Sequence, residues 1–470
     1  MKPIARTMTI PFTRESTSSA ARTKRLARFF AVTVLLLLPS GLSARAQSVD
    51  DLARVDAALP AQARVAPPTA RKLLVFTLCK GFVHSSIPVG AHAIERMGVK
   101  TGAYAATVSD DPMVFAPDSL AQFDAVLMLN TTGELFDDEK LKQSLAKFVK
   151  KGKGLVGIHA ATDCFYHWAE YGEMMGGYFD GHPWGSGDTV TCKLDDPAHA
   201  LNTAFKGRGF EIKDEIYQFQ PKPYSRDKLR VLVSLDTAKT NMNKGGLKRE
   251  DNDYAIAWAR AYGEGRVYYC SLGHNESTFW NPAVLQFYLD GIQFALGDLN
   301  ADVAPSATLT PQQIDESNAA GAALMLDEGF KDLARYDTAQ APSLPKLFSE
   351  SIIASHADPA KRADFERRLM TILQTASTLE ARQFAAKHLR LIGAEACVPA
   401  LAALLAHNDT ADDARYALET LPFPAAGDAL REALRNTADP APVGIVNSLG
   451  ERREPASVPL VAAYLKSKDA

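Results

Sequence analysis

Cysteine is scarce in this chain: five residues in 470, at Cys79, Cys164, Cys192, Cys270 and Cys397. The count is odd, the spacings are wide, and neither CxxC nor CxxCH occurs. That excludes a disulfide-stapled scaffold, a zinc ribbon, thioredoxin chemistry and covalent haem attachment. Cys79 and Cys270 lie in strand-like runs and read as buried apolar residues. Membrane-length apolar runs are lacking too, since the run over residues 29–38 is far shorter than the ~20 residues a span needs. Neither sign of charge dominates, at a net −3. A composition of 46% hydrophobic and 23% charged residues, with 30 Gly and 26 Pro, excludes collagen-like, coiled-coil and disordered classes. The length predicts two or three domains.

The near-neutral charge hides an asymmetry. The first 46 residues carry eight basic side chains against the single acid Glu15, so the remainder is at −10. That sign disfavours a nucleic-acid or anionic-lipid partner. Basic residues up to Arg28, the apolar run 29–38, then Pro39, Gly41 and Ala44-Arg45-Ala46 have the layout of a secretory signal cleaved after Ala46. The expectation is a periplasmic or secreted protein with residues 1–46 removed and no membrane span thereafter.

Residues 47–70 are rich in Ala, Pro and Gln and read as a linker. From Arg71 the pattern changes. The stretches 73–78, 125–129 and 154–158 are continuous apolar runs of strand length, as expected for parallel strands buried on both faces. Helix-like stretches at 88–97 and 137–151 separate them, further strands are expected at 229–235, 254–260 and 265–272, and a helix at 282–296 closes the unit. Such alternation predicts an α/β fold with an open, mostly parallel sheet over residues 71–303. Residues 304–370 read as a helical connector. Beyond them, over 371–470, Leu401, Leu430 and Leu460 recur at spacings of 29 and 30. That spacing suggests HEAT-like helical repeats, each too small to bury its apolar face alone; the other reading is an irregular helical cap. His356, His388 and His407 share no motif there and read as structural.

Polar residues collect after the buried strands. Lys80-Gly81-Phe82-Val83-His84-Ser85-Ser86 follows the first run, Asn130-Thr131-Thr132-Gly133-Glu134 the second and His159-Ala160-Ala161-Thr162-Asp163 the third. Gly273-His274-Asn275-Glu276 follows the last strand. Open α/β sheets bind ligands outside the carboxyl ends of their strands, so four loops are expected to face one crevice. Gly157-Ile158-His159-Ala160-Ala161 has the small-residue frame of a nucleophile elbow with His at its apex. No Ser or Cys occupies that apex, which argues against an elbow hydrolase.

The insertion at 167–220 is rich in aromatics and glycines. Rings interleaved with carboxylates suit a sugar, whose C–H faces stack on rings while its hydroxyls bond to polar side chains; a packed, loop-rich lid is the alternative. Candidate binding residues are Lys80, Asp163, Tyr166, Trp168, His182, Tyr217, Asn275 and Glu276. His84, His159, His182 and His274 with Asp163, Glu215 and Glu276 can also supply ligands for a divalent metal such as zinc. No HxxxH or HxH spacing supports this, and the cofactor is left open.

Together the segments 80–88, 154–159, 176–179 with His182-Pro183, 214–217, 273–276 and 291–298 resemble the trehalose-utilisation (ThuA-like) family. The resemblance implies a class I glutamine amidotransferase-like fold and a role in sugar catabolism, linked to oxidised 3-keto disaccharides. His159 stands where an amidotransferase has its Cys, so glutaminase activity is not implied. The expected function is that of an exported carbohydrate-active protein, a lyase or hydrolase acting on a keto-sugar or glycoside. His84, His159, Glu215 and His274 would be the catalytic groups, with His159 or Glu215 the base. The alternative is a non-catalytic sugar-binding or protein-interaction module whose helical repeats dock a partner.

Overall fold

Side chains alternate across a β-strand, and the first strand of this protein shows what that does to a continuous apolar run. In the computed structural model, which describes residues 49–338, 344–436 and 443–466, Leu73 and Val75 enter one core and Leu74 and Phe76 another. Both faces of the sheet are therefore covered. The nine strands are β1 (Lys72–Phe76), β2 (Ala105–Ser109), β3 (Ala125–Leu129), β4 (Gly154–Ile158), β5 (Thr189–Leu194), β6 (Phe210–Lys213), β7 (Arg230–Leu235), β8 (Ala255–Tyr262) and β9 (Gly265–Cys270). Their order is β2-β1-β3-β4-β9-β8-β7-β5-β6. The first five in that order run parallel and the rest pair antiparallel. The α/β reading holds, and the buried strands fall where the apolar runs placed them. Three strands were not read from the sequence. β2 is an edge strand with no fully buried residue, and β5 and β6 lie inside the aromatic insertion, where ring packing masks the period of two.

Helices α1 (Val49–Ala58), α2 (Ile87–Thr101), α3 (Pro117–Leu120), α4 (Glu139–Lys150), α5 (Ala169–Met175) and α6 (Pro282–Leu296) cover the sheet. In α4 the Asp138 side chain caps Lys140 N at 2.7 Å, and Leu141, Leu145, Phe148 and Val149 bury one face. Each such side chain contributes about 1.5–3 kcal/mol. α6 starts on an Asn281 cap with Pro282 in its first turn and stops at Gly297, whose φ is 84°. The stretch read as a linker is ordered instead. Val55 of α1 and Leu59 directly after it are buried in the core shared with α2, and Arg64 reaches Asp290 of α6 at 3.1 Å. Two apolar anchors in an Ala-rich stretch are too few to set up a visible period; the order comes from the surfaces beneath.

Asp290 is fully buried and accepts hydrogen bonds from Gln286, Arg64 and Thr203. Burial nevertheless raises its pKa to about 6. A carboxyl whose folded value exceeds its unfolded one contributes stability that is present below pH ~4 and lost as pH rises through about 6. At ~1.4 kcal/mol per pH unit, the stability of the wild type relative to Asp290→Asn is expected to fall by about 3 kcal/mol between pH 4 and pH 7. Parallel urea titrations across that range check this; a flat difference would refute it.

The C-terminal helices are α7 (Pro311–Leu333), α8 (Leu344–Ala354), α9 (Pro359–Thr375), α10 (Leu379–Ile392), α11 (Val398–Leu404), α12 (Asn408–Thr420), α13 (Pro424–Asn436), α14 (Val443–Arg452) and α15 (Val458–Ala462). They have a separate core. α8, α10, α12 and α14 stack in one row and α9, α11 and α13 in a second. Leu401, Leu430 and Leu460 sit on α11, α13 and α15, so their spacing is the length of one helix pair. α7 is tied to the sheet by Ser317 donating to Asp196, which Arg230 also binds, and by Arg208 donating to the Met325 carbonyl at 3.2 Å. No described helix is long and apolar enough to cross a membrane. The expected leader over residues 1–46 lies outside the described residues.

Candidate functional site

The carboxyl ends of β1, β3, β4 and β9 lie side by side, and the loops leaving β1, β3 and β9 are tied together at one backbone unit. The Gly273 carbonyl accepts from Ser86 Oγ at 2.8 Å and from Asn130 Nδ2 at 3.0 Å. The Gly273 N–H donates to Asp214 Oδ2 at 2.7 Å. Asp214 also accepts from Asn275 N at 2.9 Å and from the Thr278 hydroxyl at 2.9 Å. Gly273 has φ 131°, and a Cβ there would stand 3.2 Å from Ile158 and 3.3 Å from His159. Only glycine suits that conformation and that approach.

His159 leaves β4 in the left-handed region, with φ 49°. Holding a non-glycine residue there costs on the order of 1–3 kcal/mol and is tolerated where the surroundings enforce it. Gly157 makes the turn possible, because a Cβ on it would lie 2.6 Å from Met175 Sδ and 2.9 Å from Tyr269. The ring is completely buried. Its Nδ1 is 2.6 Å from the Ser271 carbonyl; a carbonyl only accepts, so Nδ1 carries the proton and Nε2 the lone pair. Tyr217 places its hydroxyl 3.0 Å from that Nε2.

Glu215 arrives on the segment that leaves β6 and pairs Ile216 with Trp184 in an antiparallel bridge. Its Oε1 is 3.3 Å from His274 Nδ1 and 3.8 Å from His159 Nε2, while Oε2 is 3.3 Å from His182 Nδ1. The His84 ring centroid stands 4.8 Å from that of His159 and 5.1 Å from that of His274. One donor atom from each of His84, His159, Glu215 and His274 lies within 4.8 Å of the other three; these are the side chains able to hold a metal.

Burial and the neighbouring His274 push His84 down to about 4, and burial together with His84 also lowers His159. His274 is raised by the Glu215 carboxylate beside it. Burial raises Asp214 to about 6 against its hydrogen bonds, and raises Asp163. Side-chain exposure orders the cluster from floor to mouth: His159 at 0%, Glu215 at 9%, His274 at 22% and His182 at 51%. His159, one of the two residues expected as the base, therefore lies on the floor of the cluster, and His182 lies at its mouth.

The other candidates divide. Tyr217, His182 and Asp163 adjoin the cluster, Asp163 accepting from the Tyr166 hydroxyl at 2.6 Å. Glu276 accepts from Ser85 at 2.6 Å and ties two of the loops. Asn275 spends its amide on the Ser186 and Lys213 carbonyls, so it fastens the loop. Trp168 is half-buried and packs on Phe165 and Tyr171, and Lys80 is exposed on its loop. Residues not singled out also matter. Ser86, Asn130 and Asp214 build the knot, and position directly after a strand or beside Glu215 was the available signal. Ser271 contributes only a carbonyl, for which no side-chain signal exists. Phe82, 63% exposed, stands near-parallel to His274 at 6.3 Å.

Residues 72–295 match the trehalose-utilisation family ThuA. This part of the chain is a ThuA-like domain. Similar solved structures include a ThuA-like protein of Bacteroides uniformis, 18% identical, covering 49% of this chain and 94% of that one, with a TM-score of 0.41. A ThuA-like protein of Parabacteroides merdae is 16% identical over 50% of this chain and 93% of that one, with a TM-score of 0.38. A cytoplasmic protein of Salmonella typhimurium is 13% identical over 48% of this chain and 98% of that one, with a TM-score of 0.32. No curated protein matches the sequence. The helical rows after the ThuA-like domain lie outside the family match.

Proposed function

We propose that the ThuA-like domain is an enzyme acting on a 3-keto disaccharide or related oxidised glycoside by acid/base elimination, followed by hydration. The observation that carries this reading is the convergence of His84, His159, Glu215 and His274 within 4.8 Å at the carboxyl edge of the sheet. A ketone acidifies the neighbouring C–H. Glu215 accepts that proton, the C–H electron pair forms the enolate, and the enolate expels the anomeric substituent. The anomeric C–O bond breaks with its electron pair on oxygen, and that oxygen takes a proton from His182 at the mouth. His274 polarises the ketone, with His84 and His159 behind it. Phe82 and Tyr166, both exposed beside the cluster, offer faces on which sugar C–H groups stack.

The test is incubation of the purified protein with a 3-keto disaccharide. The expected result is release of one sugar per turnover with transient absorbance of a conjugated enone. Tight binding without any conversion would establish the non-catalytic module instead.

Export belongs to the same proposal and is supported by the basic, apolar and small-residue order of residues 1–46; sequencing the mature amino terminus should find Gln47. A HEAT-type character for residues 371–470 is supported by the two-row stacking of the helices.

A further inference from the structure

We propose that His84, His159, His274 and Glu215 form a binding site for one divalent cation of the zinc class. The site stands on donor geometry; only its chemical consequence rests on the function proposed above, in which the cation would take over carbonyl polarisation from His274 and leave Glu215 Oε2, which faces His182, as the base.

The distances come first. In a tetrahedral shell with metal–donor bonds of about 2.0–2.1 Å, neighbouring donors stand roughly 3.3 Å apart. His274 Nδ1 and Glu215 Oε1 are already at 3.3 Å, His159 Nε2 is 3.8 Å from the same oxygen, and no pair of the four donors exceeds 4.8 Å. Small side-chain rotations close the set around a common centre.

Lone pairs come second. His84, only 5% exposed, has a buried Nδ1 without a hydrogen-bond partner, and His274 Nδ1 faces the Glu215 carboxylate at 3.3 Å. Three imidazoles packed edge to face around one carboxylate offer more acceptors than protons. A cation satisfies all of them together.

The third observation is the support behind the donors. His159 donates Nδ1–H to the Ser271 carbonyl, the arrangement by which metal-bound imidazoles are held in one tautomer and orientation. Asp214, Ser86 and Asn130 fasten the loops of His84 and His274 to Gly273. A nitrogen-rich set with one carboxylate matches zinc and its neighbours, whereas calcium and magnesium require oxygen shells. Tyr217 competes for the Nε2 lone pair of His159 at 3.0 Å and has to turn aside, so Tyr217→Phe should leave cation affinity equal or higher.

The full-length protein, stripped with a chelator and dialysed, is to be titrated with Zn²⁺ by calorimetry and with Co²⁺ by visible absorption. The expected result is one equivalent of each, with Co²⁺ developing the intense bands of a four- or five-coordinate nitrogen/oxygen site. His84→Ala, His274→Ala and Glu215→Gln should each weaken Zn²⁺ binding by at least about 100-fold with unchanged circular dichroism. Absence of stoichiometric uptake, or uptake undiminished in His84→Ala/His274→Ala, would overturn the site. If the variants do not fold, the wild-type Co²⁺ spectrum decides, weak octahedral bands counting against the site. Cation binding without sugar turnover supports the site and removes only the proposed reaction. Equal turnover by stripped and loaded protein, with no uptake, removes only the site.

Discussion

His159→Asn lowers kcat on a 3-keto disaccharide by at least ~100-fold, the lower end for losing a group that serves proton transfer or charge stabilisation, and leaves KM within a few-fold. Asparagine is the informative replacement because it tolerates the left-handed backbone that φ 49° imposes. Alanine at that position would add strain to the loss of the imidazole. The variant keeps the Gly157 turn and the Gly273 knot, so the fold should survive, with a circular dichroism spectrum like that of the wild type. The split between kcat and KM separates the readings. A floor residue that only fills space would alter stability and leave kcat alone, whereas one that orients His274 and Glu215 alters kcat and leaves binding nearly intact. Retention of full turnover would show that the elbow histidine is a packing residue and would remove the main support for catalysis at this crevice.

Asp214→Ala should be the most damaging single change for stability near the site. The side chain is buried and accepts from two backbone N–H groups and one hydroxyl. Truncation strands the Gly273 and Asn275 donors, and at about 1–3 kcal/mol for each stranded buried donor the loss is about 4 kcal/mol. The same change frees the loop that carries His274. A displacement of ~1 Å at a reacting group can cost about 100-fold in rate, so turnover should fall with stability. Urea denaturation midpoints and steady-state kinetics on the fraction still folded check both parts. Asp214→Asn keeps one acceptor oxygen and should fall between the two. A variant as stable as wild type would mean that the knot at Gly273 is held by Ser86 and Asn130 alone.

Much of this was legible before any coordinates. The runs that became β1, β3 and β4 are almost wholly apolar because both faces of a parallel strand are covered. α6 begins and ends at the residues that cap it, Asn281 and Gly297. Residues directly after buried strands had to face the carboxyl edge, which brought out His84, His159 and His274. What went unread had little local signature. β2 is an exposed edge strand, and α1 is ordered by two anchors. That Asn275 donates to two backbone carbonyls and that Trp168 packs on Phe165 have no local signature either.

The sequence by itself therefore determined the element types, the sheet class, the elbow at His159 and the edge of the sheet where polar groups gather. All of these follow from windows of five to fifteen residues, within which burial period, caps and turn residues act. Only the tertiary structure decided which side chains meet. That Glu215, arriving from the far antiparallel edge, lies between His274 and His182, that His159 is floor and His182 mouth, and that Asp214 holds the His274 loop all depend on strand order. The return path of the chain after β6 matters equally. Contacts between residues so distant in sequence are set by how whole layers pack, and no local pattern records that packing.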